Sequence, residues 1–222
     1  MRMRWLALLL FATGCASTPA ASQVASIAPA VAPAPKPSMG PPLDTATYSV
    51  TIYNPPSIDP DNSLPTAGGI VRIRAPFETA YEAAIDFDKI YELNPYIEKS
   101  VVSDVQPDYT DVYLKVPTVI NQDIWAVVRF RTKKLPNGGV ECHGEMVRGN
   151  LDDLRITWRL VPNGNETIGQ FELLADPALP LPRSWVVRDT RDGVHIMLER
   201  FRWKVEARSY RVRLDDAPTP DE

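Results

Sequence analysis

The chain has 222 residues, a formal net charge of −4, 44% hydrophobic and 23% charged residues, an ordinary composition for a globular protein. The acidic balance argues against broad electrostatic binding to nucleic acid, which needs a basic stripe. Two cysteines (Cys15, Cys142) and two histidines (His143, His195) form no CxxC pair and are a thin supply for metal or histidine chemistry, so no metal and no cofactor is expected.

At the front, Arg2 and Arg4 precede the short apolar run from Trp5 to Phe11. That run falls short of the ~20 residues needed to span a bilayer and suits a cleavable signal peptide. It leads into Ala12-Thr13-Gly14-Cys15, which resembles the bacterial lipobox, with Ala12 where the pattern more often has Leu. The resemblance implies acylation of Cys15 as the new N-terminus, and stable anchoring takes more than one acyl chain. The plainer alternative is a secretory signal with an incidental cysteine. Ala16 and Ser17, in place of Asp, resemble outer-membrane sorting. The expected location is the cell envelope, at the outer membrane and facing the periplasm.

Residues 16–66 are expected to be a tether and a transition. Up to Pro42 the chain is nearly all Ala, Pro, Ser and Val. Such a segment cannot bury a core, and at ~3.1 Å per residue it could reach on the order of 80 Å. Tyr48 to Tyr53 alternates and could add a short strand outside the core.

Residues 67–213 read as one domain, followed by a disordered tail over 214–222. Ile70 to Arg74 alternates as a strand, and Ala75-Pro76 stops it. Phe77 to Leu93 reads as one helix, with Phe77, Tyr81, Ala84, Ile85 and Ile90 at helical spacing and Asn94-Pro95 ending it. Six strand-like runs follow: Ser100 to Val105, Val112 to Val116, Ile124 to Thr132, Val140 to Val147, Leu154 to Val161, and Thr167 to Leu174. Short turns carrying Asn-Gly between them predict an antiparallel meander. A proline-rich loop, Asp176 to Pro182, leads to a long helix from about Ser184 to Val212. Its apolar stripe is Val194, Met197, Leu198, Phe201 and Val205, and Gly193 is a weak point within it.

This order resembles the START-like superfamily, also called SRPBCC, with polyketide cyclase-like and coenzyme Q-binding members. Three stretches carry the resemblance: Ile73 to Tyr81; Asp86-Phe87-Asp88-Lys89-Ile90 with Asn94-Pro95-Tyr96; and Leu181 to Arg188. It implies an α+β helix-grip fold, a curved antiparallel sheet wrapped around the C-terminal helix with a cavity between them. A helix with one apolar stripe needs a concave apolar face to cover it. Strand alternation supplies one, with Ala126, Val128 and Phe130 facing in, then Cys142 and Met146, then Ile156 and Trp158, then Phe171 and Leu173. With Val194, Leu198 and Phe201 these are the candidate ligand-binding residues. Small Ala126, Cys142 and Gly144 would leave room. A filled core is the simpler meaning of the same pattern.

The remaining polar residues carry no motif for a nucleophile, phosphate loop or metal. His143 is expected on the outer face with Glu141 and Glu145, His195 on the helix surface, and Cys142 as a buried small hydrophobe. Asp152-Asp153 reads as turn chemistry, and Asp86 and Asp88 as surface or capping groups. The function expected is non-enzymatic binding or transport of a hydrophobic, lipid-like ligand. The proline-rich loop and the last helix would be its gate, and the loop's Leu179 and Leu181 could touch the membrane. A cyclase or aromatase using the same cavity and a structural lipoprotein with a filled core are the alternatives.

Overall fold

The computed structural model describes residues 50–55, 64–118, 123–177 and 181–215. The Cys15 lipobox, the tether to residue 49, Leu179 and residues 216–222 of the tail lie outside the described residues. Eight strands form one sheet: β1 (Thr51–Tyr53), β2 (Thr66–Ile73), β3 (Lys99–Gln106), β4 (Tyr109–Val116), β5 (Ile124–Lys134), β6 (Val140–Gly149), β7 (Leu151–Asn163) and β8 (Glu166–Pro177). Their spatial order is β1-β2-β8-β7-β6-β5-β4-β3, every pairing antiparallel. The sheet is curved and does not close on itself. From β3 to β8 it is the expected meander of hairpins. The long-range step is β2 on β8, where Thr66 faces Leu174 and Ile73 faces Thr167. The Thr167 hydroxyl adds a bond to the carbonyl of Ala75 at 2.9 Å.

The hairpin turns follow from their glycines. Gly138 has φ 80° and Gly164 φ 63°, a left-handed backbone that an L side chain resists. In the β6 to β7 connection Asn150 does the work with its side chain. Its Oδ1 accepts from the Trp125 amide and its amide group donates to the Asp123 carbonyl, both at 2.8 Å.

Register aligns the apolar positions into one face. Cys142 pairs with Trp158, Trp158 with Phe171 and Phe171 with Gly69, across four neighbouring strands. The C-terminal helix α3 (Arg183–Asp215) lies on β2 and β8. Its stripe Val194, Met197, Leu198, Phe201 and Val205 is buried, as the spacing predicts. Gly69 permits the close approach: a side chain begun there would meet Leu198 Cδ1 at 2.5 Å.

Four features differ from the sequence reading. The expected helix from Phe77 to Leu93 is broken into α1 (Phe77–Ala84), a 3-10 turn (Phe87–Lys89) and α2 (Ile90–Leu93). Asp86, with φ −76° and ψ 67°, leaves the helical path. The break turns Phe87 inward, where its ring stacks on Phe130 at 4.6 Å. The corner is then fastened to β3, because Asp88 Oδ1 accepts from the Val102 amide at 2.7 Å.

Asp152 and Asp153 are not in a turn. They belong to β7, and Asp153 pairs with Arg155 at 2.6 Å. The tight Asn150 connection leaves them within the strand. Finally, Thr51 to Tyr53, expected as a possible short strand outside the core, forms the edge strand β1, and Ile52 packs against the core. The Tyr53 ring covers Gly68, and its hydroxyl donates to Glu172 at 2.7 Å, which explains a fully buried glutamate on β8. At the other end, α3 continues two residues past the expected domain limit at 213.

Candidate functional site: a cavity between sheet and helices

A cavity of about 570 Å³ opens between the concave face of the sheet, the α1 to α2 segment and the first half of α3. From the sheet come Leu114, Ala126, Phe130, Ile156, Trp158, Phe171 and Leu173. The α1 to α2 segment supplies Ala83, Phe87, Ile90, Leu93 and Asn94, and α3 supplies Val186, Asp189, Thr190, Gly193 and Met197. Tyr96 and Leu181 line the cavity and are 53% and 40% exposed, so they stand at its mouth.

The candidate residues divide between this lining and the packed core. Ala126, Phe130, Ile156, Trp158, Phe171 and Leu173 border the cavity. Val128, Cys142, Val194, Leu198 and Phe201 are buried in the core, and Met146 packs against it half-buried. Trp158 joins the two sets, its ring 4.6 Å from Phe171 and 4.8 Å from Phe201. The small residues act unequally. Ala126 does border the cavity, but the space over Gly144 is filled by Phe130, whose ring atoms would lie 2.6 Å from an added Cβ.

Two parts of the wall were missed by strand alternation alone. One is the broken helical segment from Ala83 to Ile97. The other is a second face of α3, one step round from the apolar stripe. Val186, Thr190, Gly193 and Met197 fall at i, i+4, i+7 and i+11, a helical spacing that the sequence carries openly.

Polarity is distributed unevenly around the cavity. The sheet wall is almost wholly apolar, whereas the helical side brings Asp86, Asn94, Asp189 and Thr190. Asp86 Oδ2 accepts from Lys89 at 3.0 Å, and Asp189 from Arg188 at 3.2 Å. Asn94 Oδ1 accepts from the Tyr96 amide at 2.9 Å, and its amide nitrogen faces Gly193. The Thr190 hydroxyl donates to the Val186 carbonyl at 2.7 Å.

Charge pairs also line the convex face of the sheet and join the helices, as in Lys204 with Glu92 and Arg208 with Glu82. Arg129 holds Asp111 through two bonds of 2.8 Å, which keeps that carboxyl below its usual range. Burial pushes the Glu141 carboxyl up, but bonds from Lys133 and Arg159 outweigh it and hold it low. His143 bonds to Thr157 and Glu145 on this face, and His195 is exposed on α3. Cys142 is buried, and burial raises its thiol above the ordinary range, the opposite of an activated nucleophile. Among the described residues no group of His, Cys, Asp or Glu is placed to hold a metal ion, and no helix is long and apolar enough to cross a membrane.

No protein-family model matches the chain, and no curated protein matches it in sequence. Solved structures do match. A STAR-related lipid transfer protein from Xanthomonas axonopodis is 16% identical, with a TM-score of 0.61 over 72% of this chain and 94% of its own. Human StAR-related lipid transfer protein 5 is 11% identical, with a TM-score of 0.56 over 75% of this chain and 85% of its own. The Zhui aromatase/cyclase from Streptomyces sp. R1128 is 15% identical over 69% of this chain and 98% of its own, at a TM-score of 0.46. The first two define the fold as a START-like helix grip, with its cavity between sheet and C-terminal helix. At such identities the likeness is one of fold.

Proposed function

We propose that the protein binds and carries a hydrophobic, lipid-like molecule in the bacterial cell envelope, held at a membrane through acylated Cys15. The observation that carries the reading is the cavity. Its ~570 Å³ falls within the range of small-molecule sites, and its sheet wall is apolar from Leu114 across to Leu173. A purely structural role would need no such space. At ~30 Å³ per water-sized group, the volume takes on the order of 20 heavy atoms, the size of one acyl or prenyl chain or a fused-ring body. Burying such a body stabilises the complex by about 25 cal/mol per Å² of apolar surface. Polar groups at one side would fix its orientation.

The test is to purify the protein gently, extract it with organic solvent and analyse the extract by mass spectrometry. A stoichiometric co-purifying lipid, absent from an unrelated control, is the expected result. An empty extract, with no uptake of fluorescent fatty acids, sterols or quinones, overturns the reading. The anchor is tested separately. Cys15→Ser is expected to remove the acyl mass and move the protein from the membrane fraction to the soluble one. Unchanged membrane association would reject the lipobox.

A further inference from the structure

We infer that the ligand's polar end is a hydroxyl or an amine rather than a carboxylate or a phosphate. The inference rests on the carriage reading and adds the head-group class. It comes from which charges line the cavity. Among the described residues no lysine, arginine or histidine borders it, and the charged side chains that do are Asp86 and Asp189.

Their cationic partners do not cancel this bias. Lys89 and Arg188 stand outside the lining, with side chains 52% and 66% exposed, each paired to a near neighbour on its own segment. Exposed pairs of this kind are weak and screened. Asp86 is the more sheltered carboxylate, its side chain 30% exposed, whereas Asp189 is at the rim.

An anionic head group leaving water for this site would meet like charge with no cation to receive it. A hydroxyl or ammonium meets acceptors instead, the two carboxylates. Asn94 and Thr190 are neutral groups that can complete the hydrogen bonding of an alcohol. Placement agrees with charge. Asp86, Asn94, Asp189 and Thr190 sit on the helical side, opposite the apolar sheet wall, while Thr118 follows β4; a ligand would lie with its body on Phe130, Ile156 and Trp158 and its head at the seam between the helices.

The experiment uses the full chain and three probes with one tail: dodecan-1-ol, dodecylamine and dodecanoate, each titrated below its solubility limit or micelle concentration at pH 7.5 against intrinsic tryptophan fluorescence, to which the cavity residues Trp125 and Trp158 contribute. The alcohol and the amine are expected to bind at least about tenfold more tightly than dodecanoate. The gap should shrink towards parity in Asp86→Asn/Asp189→Asn, because the repulsion is gone while the shape is kept. Dodecanoate binding as tightly as either partner would overturn the head-group assignment and leave carriage standing. A gap that persists unchanged in the double variant would also overturn it, since the carboxylates would not be its source. Binding of none of the three, together with an empty lipid extract, would remove carriage and this inference with it.

Discussion

Single atoms decide how much space this fold leaves. Gly144 looks like room in the sequence, yet the Phe130 ring occupies that room and is itself pinned by Phe87. An added methyl would begin 2.6 Å from the ring. Gly144→Ala is therefore expected to destabilise the protein by about 1–3 kcal/mol, the usual cost of overpacking a filled core, read as a lower urea midpoint. Gly193 is the opposite case. A Cβ there meets nothing nearer than the Asn94 amide nitrogen at 3.8 Å, so Gly193→Ala should stabilise α3 by about 0.5–1 kcal/mol. Gly193→Leu should extend into the cavity and abolish lipid uptake while the protein remains folded by circular dichroism. Retained uptake in that variant would place the ligand elsewhere.

The elements were legible in the sequence to different degrees. Strand faces were readable because alternation is a strict period: Phe130, Ile156, Trp158 and Phe171 face inward as their spacing requires, and polar partners such as Arg129 and Glu145 face out. The α3 stripe was readable for the same reason at period 3.6. The broken helix was not, because Phe77 to Leu93 keeps helical spacing through Asp86, and only the inward pull of Phe87 and the Asp88 bond to β3 decide where it bends. That break builds part of the cavity wall, so the site was only partly visible. Edge strand β1 was also under-read. Its anchor is the contact of Tyr53 with Gly68 and Glu172, which are distant in sequence. The buried Glu172 on β8 marks where β1 docks. The resemblance to START-like proteins supplied the cavity, which periodicity alone could not distinguish from a filled core.

At the scale of the whole molecule, the two faces of the sheet divide the labour. The concave face is apolar and encloses the cavity, and the convex face carries ion pairs that set the response to acid. Asp111 and Glu141 are both held below their ordinary range in the folded state. A carboxyl with a depressed folded pKa contributes stability above its unfolded value, and that contribution is lost as pH falls through the folded value. The convex face is thus fully effective above about pH 5 and fails progressively through and below the carboxylate range. Urea midpoints should drop between about pH 5 and pH 3. Asp111→Asn and Glu141→Gln should each lower the midpoint at pH 7 and flatten the decline beneath pH 5. An unchanged slope would show that these pairs do not govern acid stability.

The pairing of β2 with β8 also sets an order of events in time. Hairpins from β3 to β8 join near neighbours and can form quickly. On one side β2 has the short β1 close by in sequence, but its other partner is distant: the bond from Thr167 to Ala75 joins positions 92 apart, and such non-local closures slow folding. A chain emerging from its N-terminus therefore exposes β2 as an open edge until almost the last strand has arrived, and α3, which covers β2, comes later still. For that interval an apolar strand stands with its β8 edge and its α3 face uncovered, the circumstance in which chains aggregate. A truncation ahead of β8 would make the interval permanent.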